Sequence, residues 1–256
     1  MEQKSKGSIT VVGLGPGRAG LITREAWALM EQTQTDGRLV LRTAIHPTVE
    51  AVRAAGLVFT TYDAFYEDAP DFETLYRAIA HDLIAHAAQG ETIVYAVPGS
   101  PLVAERTVVL LRELVAGRDD VTLTILPGMS FVEVLYTRLG IDPVDGLTIL
   151  DAEDVAKLRE RPFTNLVITQ VYDAFTASDC KLALMEFLPD DAPVTFIHNL
   201  ALPDESVRGI PLYELDRQPF CPRTHSLLRA QAARSARRSG HTGHGRPSGG
   251  RNAPPP

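Results

Sequence analysis

The chain has 256 residues, 45% of them apolar and 22% charged, and a formal net charge of −7. This length and composition predict a globular protein with one or two α/β cores. The chain starts Met-Glu-Gln-Lys-Ser-Lys without an apolar stretch, and it has no run of eighteen uncharged apolar residues. We therefore predict neither a secretory leader nor a membrane span, and expect a cytoplasmic protein. Its two cysteines, Cys180 and Cys221, lie far from other metal-ligating residues, so we expect reduced thiols and no metal site.

The first predicted strand, residues 8–13, ends in a glycine-rich loop that precedes a helix with Thr23 as candidate N-cap. The constrained positions of this loop are Gly13, Gly15, Pro16 and Gly17. Three glycines here satisfy G-x-G-x-x-G, the fingerprint of a dinucleotide-binding turn. That fingerprint also needs an acidic residue after the second strand, where this chain has Arg42, so a nicotinamide cofactor is disfavoured and only NADPH stays open. A tight turn that packs helix on sheet is the other interpretation.

A second constrained loop follows the predicted strand at residues 92–97. Pro98-Gly99-Ser100-Pro101 leads from this strand into a helix predicted over 103–115. Two prolines fix φ on either side of a glycine, so the geometry of the loop is set before any ligand binds. We interpret it as a ligand-binding loop, with a purely structural strand-to-helix turn as the alternative.

The remaining periodicities complete two α/β units. Further strands are predicted at 38–42, 121–126, 166–170, 194–198 and 207–214, and further helices at 47–55, 72–88, 130–139 and 178–187. We divide them into an N-terminal α/β domain over residues 7–127 and a smaller C-terminal α/β domain over residues 128–216. Ligands of open α/β folds collect beyond the carboxyl ends of strands and between domains, so we expect a cleft there.

The last part of the chain has a different composition. Residues 217–256 contain eight Arg and no Lys, Asp or Glu, so they carry a charge of +8 while residues 1–216 carry −15. Few large apolar residues occur in this tail, which predicts disorder. We expect the second domain to be truncated before a final strand, and hypothesise that the tail is an out-of-frame reading of a longer ancestor. The acidic body argues against a nucleic-acid partner.

Three loops together resemble the tetrapyrrole (corrin/porphyrin) methylase family of S-adenosylmethionine-dependent methyltransferases, over about residues 7–216. They are the glycine loop, Tyr95-Ala-Val-Pro-Gly-Ser-Pro101 and Ile125-Leu-Pro-Gly-Met-Ser-Phe131. The segments Leu41–Pro47, Ile168–Tyr172 and Pro211–Leu215 are similar to YabN/MazG-type bifunctional proteins, in which such a domain precedes a nucleotide pyrophosphohydrolase; we expect that MazG domain to be absent. The resemblance implies the two-domain class III methyltransferase fold, with a cleft between the domains, and a homodimer. The usual Gly-Asp-Pro of the central loop reads Gly-Ser-Pro here and lacks the carboxylate.

The resemblance also implies roles for individual residues, with S-adenosylmethionine as the cofactor. The implied cofactor contacts are Pro98, Gly99, Ser100, Pro101, Val103, Ser130, Phe131, Tyr172 and Leu200. The glycine loop faces the methyl acceptor. Candidates for acceptor contact or proton transfer are Arg42, His46, Tyr62, Tyr66 and Tyr76. Structural roles compete with these: a surface pair or helix cap for Arg42 and His46, and half-buried core positions for the tyrosines.

Three function classes are left open by the sequence. The first is a methyltransferase with an unknown small-molecule or peptide acceptor. Peptide-backbone N-methyltransferases share the fold, but this chain keeps Tyr76 without the accompanying arginine, so peptide methylation is not supported. The second is a catalytically silent S-adenosylmethionine-binding or scaffold domain left from a MazG-type fusion. The third is nucleotide pyrophosphate hydrolysis, which is disfavoured because it needs clustered E-x-x-E carboxylates for magnesium and the chain has none.

Overall fold

A computed structural model describes residues 6–160, 163–220 and 226–231. Its first sheet is five-stranded and parallel, with the spatial order β3-β2-β4-β1-β5. The strands are β1 Gly7–Gly13, β2 Arg38–Leu41, β3 Thr60–Thr61, β4 Thr92–Val97 and β5 Val121–Ile125. The central strands are almost continuous apolar runs because both of their faces are covered, as is usual in parallel sheets.

Helices cover both faces of this sheet. They are α1 Arg24–Asp36, α2 Val49–Ala54, α3 Asp63–Asp68, α4 Phe72–Ala87 and α5 Arg106–Val115. One face carries α4 and α5, whose Ile79 and Leu111 join the core around Tyr95. The other face carries α1 and α2. The Thr23 hydroxyl oxygen accepts a hydrogen bond from the Ala26 amide at 3.2 Å, which confirms the predicted cap of α1.

The two adjacent strands β1 and β4 send the chain to opposite faces of the sheet. The connection after β1 leads into α1 on one face, and the connection after β4 leads into α5 on the other. This divergence opens a crevice at the carboxyl ends of the two strands, the position where ligands bind in open α/β folds. Both constrained loops of the sequence start there.

The second sheet is mixed, with the spatial order β6-β7-β10-β8-β9. Its strands are β6 Thr148–Asp151, β7 Asn165–Thr169, β8 Pro193–His198, β9 Ser206–Pro211 and β10 Ser226–Gln231. One face packs on α6, Phe131–Leu139, through Leu135. The other face packs on α7, Ala174–Met185, and on 3₁₀-helices at Ala152–Glu160 and Leu212–Arg217. The predicted boundary at 127/128 falls in the loop between β5 and α6.

The tail prediction is wrong for residues 217–220 and 226–231. Arg217 ends a 3₁₀-helix, and Phe220 packs edge-on against Phe196 in the core of the second sheet. Strand β10 lies in the middle of the second sheet, antiparallel to β7 and β8, and buries Leu228 and Ala230. The second sheet therefore has its final strand. A composition averaged over the whole tail hid a six-residue segment in which Leu228 and Ala230, two positions apart, are both buried. Residues 221–225 and 232–256, on which the rest of the disorder prediction falls, lie outside the described residues.

Two helices start away from their predicted first residues because of local capping. The helix predicted from residue 103 begins at Arg106, since Ala104 adopts a left-handed φ of 55° and Glu105 is the N-cap. The helix predicted from residue 178 begins at Ala174, since the Asp173 carboxylate accepts the Thr176 amide at 2.7 Å. None of the helices within the described ranges is long and apolar enough to cross a bilayer.

Candidate functional site

The two constrained loops join each other at the crevice. The Gly15 amide donates to the Gly99 carbonyl at 3.1 Å, and the Gly99 amide donates to the Gly15 carbonyl at 3.0 Å. Both glycines have a φ of 70°, which favours glycine strongly. A Cβ on Gly13 would lie 2.4 Å from the Gly99 carbonyl oxygen. The glycines of the first loop thus let the two backbones approach each other. The two paired loops form one rigid surface, which we call the floor of the crevice.

This pairing removes the dinucleotide-binding geometry. The fingerprint needs the glycines to run directly into a helix whose free amides hold the pyrophosphate. Here a 3₁₀ turn at Ala19–Leu21 intervenes, α1 starts only at Arg24, and the Gly15 amide is already bonded to Gly99. The structure therefore gives no support to the NADPH alternative.

A cavity of about 340 Å³ lies above the paired loops. Its size falls within the range of roughly 300 to 1,000 Å³ that is usual for small-molecule pockets. The first sheet and its loops contribute Pro16, Arg42, His46, Pro47, Tyr76, Pro98, Gly99, Ser100, Val103, Ala104 and Glu105. The second unit contributes Ser130, Phe131, Thr169, Gln170, Asn199, Leu200 and Leu202. The predicted cleft between the two units is therefore present.

Unusual backbone conformations concentrate at this cleft. Within the described ranges, the non-glycine residues with positive φ are Ala104, Gln170, Asn199 and Ala201, at 49° to 70°. Three of them line the cavity, and Ala201 lies between the lining residues Leu200 and Leu202. Such conformations cost about 1–3 kcal/mol each and cluster at ligand-binding sites. Their concentration here is an indication of function independent of the cavity itself.

The cleft contains a buried ion pair. Arg42 follows β2 and its Nη1 lies 2.9 Å from Oε2 of Glu105, a residue that is only 4% exposed. Burial raises the pKa of the Glu105 carboxyl, although Arg42 and Thr107 oppose the rise. Burial alone would lower the pKa of Arg42, but the Glu105 carboxylate and the neighbouring tyrosines raise it. The ionised pair therefore has no net charge, and Arg42 keeps its proton.

Buried polar atoms surround the pair. Arg42 Nε has no hydrogen-bond partner within the described part of the chain, and the buried hydroxyls of Tyr95 and Thr107 interact with each other. Burial raises the pKa of Tyr66 to about 12 and also raises the pKa of Tyr76, so both phenols stay protonated at neutral pH. Buried unsatisfied groups are uncommon and point to function or to a bound ligand.

The segment that carries Arg42 and His46 is held by hydrogen bonds to Asp63. The Ala44 amide donates to Asp63 Oδ2 at 2.9 Å, and the Thr43 hydroxyl donates to Oδ1 at 2.5 Å. Within the segment, His46 Nδ1 lies 2.7 Å from the Thr48 hydroxyl oxygen. These contacts fix the position from which both side chains reach the cleft.

A capping box positions Phe131 on the opposite wall. The Ser130 hydroxyl oxygen accepts from the Val132 amide at 3.0 Å, while Glu133 accepts from the Ser130 amide at 2.6 Å. Ser130 itself is buried and lines the cavity. The start of α6 is therefore rigid where it meets the cleft.

Most of the predicted site residues converge on the cavity. Those that line it are Pro16, Arg42, His46, Tyr76, Pro98, Gly99, Ser100, Val103, Ser130, Phe131 and Leu200. The others lie outside its lining. Pro101 is buried and packs between Gly13 and Gly128, each of whose Cβ atoms would lie about 3 Å from its Cδ. Gly17 abuts Leu202, and Gly15 is part of the floor.

Three predicted tyrosines are not part of the lining. Tyr62 is 4% exposed, packs edge-on against Phe65 and donates to Asp82 at 2.7 Å, so it is a core residue. Tyr66 packs against the same core near Arg42. Tyr172 is 43% exposed beyond the end of β7. The structure thus brings Tyr76 to the cleft and leaves the roles of the other three as predictions.

Sequence reasoning missed seven lining residues: Pro47, Ala104, Glu105, Thr169, Gln170, Asn199 and Leu202. A usable signal existed for some of them. Gln170 and Asn199 directly follow β7 and β8, where ligands are expected, and Glu105 lies shortly after the constrained Pro98–Pro101 loop. No group of three potential metal ligands occurs within the part of the chain that the structure describes.

Comparisons with known proteins agree with this architecture. A protein of Bacillus subtilis (strain 168) named "Uncharacterized protein YabN" is 39% identical over 211 residues, which are 82% of this chain and 42% of YabN. The chain thus spans less than half the length of that relative. Uroporphyrin-III-C-methyltransferase from Thermus thermophilus superposes with a TM-score of 0.62 at 20% identity, covering 88% of this chain and 92% of that chain.

Diphthine synthase superposes with a TM-score of 0.63 at 16% identity, covering 88% of this chain and 90% of that chain. At these identities the two superpositions establish the fold alone, and they confirm the predicted class III methyltransferase fold. Residues 8–216 match the family described as Tetrapyrrole (Corrin/Porphyrin) Methylases. On this match and on the identity with YabN, the chain belongs to the tetrapyrrole methylase family.

Proposed function

We propose that this protein is an S-adenosylmethionine-dependent methyltransferase that works in the cleft between its two sheets. The observation that carries the proposal is the convergence of the Pro98–Val103 loop, α6 and the loop after β8 on one cavity with strained backbone around it. The family membership and the names of the two structural neighbours support the same chemistry. The methyl acceptor is proposed only as a small molecule or an exposed group of a larger one.

The residues present fit the donor. Gly99 combines a φ of 70° with open space where a Cβ would stand, so its backbone can approach a ligand closely. Val103, Phe131 and Leu200 supply apolar surface for a flat ring, and Thr169, Gln170 and Asn199 supply hydrogen-bonding groups. S-adenosylmethionine supplies a methyl group on a sulfonium, which is transferred by in-line displacement.

The protein's share of this chemistry is positioning. Effective concentrations gained by orientation reach about 10⁵–10⁸ M, so a rigid site needs few reactive side chains. The paired glycine loops, the Asp63-anchored segment and the capped start of α6 supply that rigidity. Arg42, His46 and Tyr76 share the cavity lining and are the groups proposed to face the acceptor.

Calorimetric titration with S-adenosylmethionine and with S-adenosylhomocysteine tests the proposal. We expect saturable binding of both, which Gly99→Leu abolishes by filling the open space. Gly117→Leu is the matched control, because Gly117 also has a positive φ of 80° and open surroundings but lies in the turn after α5. Both variants carry the same backbone strain of about 1–2 kcal/mol.

Absence of binding by the folded wild-type protein would refute the proposal. Unchanged binding by a folded Gly99→Leu variant would place the donor elsewhere than the Gly99 loop. The second class left open by the sequence is a domain that binds S-adenosylmethionine without activity. Such a domain would bind the donor as a methyltransferase does, but would transfer its methyl group to none of the acceptors offered.

A further inference from the structure

Methylation of a neutral acceptor releases a proton that the cleft must take up. The acceptor's lone pair forms a bond to the methyl carbon, the carbon–sulfur bond breaks with its electron pair left on sulfur, and the acceptor's N–H or O–H loses its proton. A side chain with a lone pair beside the acceptor can take up this proton, which speeds such a step by about 10²–10⁴-fold.

Among the described residues that line the cavity, two have a side chain with a lone pair that can accept this proton. They are Glu105 and His46. Arginine has no acceptor atom, so Arg42 cannot serve. The phenol of Tyr76 is protonated, because burial raises its pKa. The other lining side chains are apolar, hydroxyl or amide groups.

Glu105 is the better placed of the two. Its carboxylate is almost fully buried, so a proton received there is shielded from bulk water. Oε2 is held by Arg42 at 2.9 Å, and Oε1 accepts a long hydrogen bond of 3.3 Å from the Thr107 amide. The Thr107 side chain is a further partner, and an ionised carboxylate with about four lone-pair sites still keeps acceptor capacity. In contrast, His46 Nδ1 lies beside the Thr48 hydroxyl, and His46 is flanked by the exposed residues Ile45 and Pro47.

The surroundings of Glu105 carry a second indication. Arg42 Nε is buried without a hydrogen-bond partner within the described residues, and the Tyr95 and Thr107 hydroxyls, which interact with each other, are buried around the same carboxylate. The charged and titratable groups that face it are Arg42, Tyr66, Tyr76 and Tyr95. A core built only for stability would satisfy Arg42 Nε, since an unpaired buried polar atom is destabilising.

We propose that Glu105 is the proton acceptor of the methyl transfer and that Arg42 is its positioning residue. The reacting group of the acceptor is then a neutral N–H or O–H group, which approaches a site whose own charges cancel. This inference rests on the proposed function, because it assumes the donor in the same cleft.

A donor analogue tests the position of Glu105 without knowledge of the acceptor. Sinefungin carries a primary amine in place of the methylsulfonium group, so its ammonium occupies the place of the transferred methyl group. If Glu105 faces that place, a charge-assisted hydrogen bond makes sinefungin bind about tenfold or more tightly than S-adenosylhomocysteine. Calorimetry on the whole chain at about pH 7.5 measures the two dissociation constants and gives their ratio.

Three variants assign the preference to the ion pair. Glu105→Gln should bring the ratio close to one while S-adenosylhomocysteine still binds. Glu113→Gln, an exposed glutamate on α5, should leave the ratio unchanged. Arg42→Lys should lower the ratio and leave the affinity for S-adenosylhomocysteine in place, an effect that a merely structural role would not produce.

A wild-type ratio near one, or a Glu105→Gln variant that keeps the preference, would overturn the inference while the proposed function stands. Failure of the wild-type protein to bind either compound would overturn both. Because the wild-type ratio is itself decisive, the test survives a Glu105→Gln variant that fails to fold.

Discussion

Removal of one partner of the Arg42–Glu105 pair should destabilise the protein strongly. Arg42→Gln leaves the Glu105 carboxylate, which is 4% exposed, without its cation, and breaking a buried pair in this way costs about 3–5 kcal/mol. Glu105→Gln should cost less, because the Arg42 side chain is 18% exposed and retains some contact with water. The double variant should cost less than the sum of the two, since neither charge is then left alone.

Urea unfolding followed by tryptophan fluorescence measures these differences. The chain has one tryptophan, Trp27, and it lies on α1 in the same sheet unit as the ion pair. The signal therefore reports the unit that the substitutions perturb. Additive effects of the two single variants, or a cost below about 1 kcal/mol for Arg42→Gln, would refute the idea that burial couples the charges.

The same variant should show a characteristic pH dependence. Burial already raises the pKa of Glu105 in the folded protein, and loss of Arg42 removes a group that opposes the rise. A carboxyl with a raised folded-state pKa stabilises the protein below its unfolded pKa and loses that contribution as pH rises through the folded value. The deficit of Arg42→Gln should therefore shrink as the pH is lowered from 8 towards about 4, the usual carboxyl range. A deficit independent of pH would mean that Glu105 reaches solvent.

Three further outcomes test other parts of the structure. Leu228→Ala should cost about 2–5 kcal/mol in urea unfolding monitored by circular dichroism, whereas Leu182→Ala at an exposed position should stay near ±0.5 kcal/mol; equal effects would remove β10 from the core. Ser130→Ala should lose about 1 kcal/mol through the cap of α6, and an unchanged urea midpoint would contradict the capping box. Burial raises the pKa of Cys180 to about 12, so in a Cys221→Ser variant its thiol should react with a disulfide reagent only after unfolding.

The first sheet could be predicted closely from the sequence because its signals are local. Residues 92–97 were predicted as a strand and form β4 without a change of limits, since an apolar run between a turn and a proline loop has few alternatives. The second sheet was predicted less completely. Its short β6 and the late β10 carry only a few apolar residues each, and their strand structure depends on pairing with β7 rather than on their own pattern.

Site residues could be predicted where the signal lies within one loop. They could not be predicted where a role depends on contact between two distant parts of the chain. Pro98 and Gly99 are recognisable because proline and glycine restrict or release φ locally. The role of Glu105 depends on Arg42, which is far away in the sequence and reaches it only through the neighbouring positions of β2 and β4. No sequence pattern indicates such a pair. The left-handed conformations of Ala104 and Asn199 likewise depend on the folded protein and not on the residue type.

The glycines of the two paired loops show how one residue type serves two purposes in this cleft. A side chain at Gly13 would collide with the Gly99 carbonyl, so glycine there brings the two backbones together. At Gly99 no atom lies within 4 Å of the place of a Cβ, so packing does not require glycine; the positive φ and the cavity beside it do. The first loop uses its glycines for contact within the protein, whereas the space beside Gly99 opens into the cavity. This difference explains why a sequence that matches a dinucleotide fingerprint at Gly15 instead forms the floor of a cleft, and why the proposed donor site lies at Gly99 and not at Gly15.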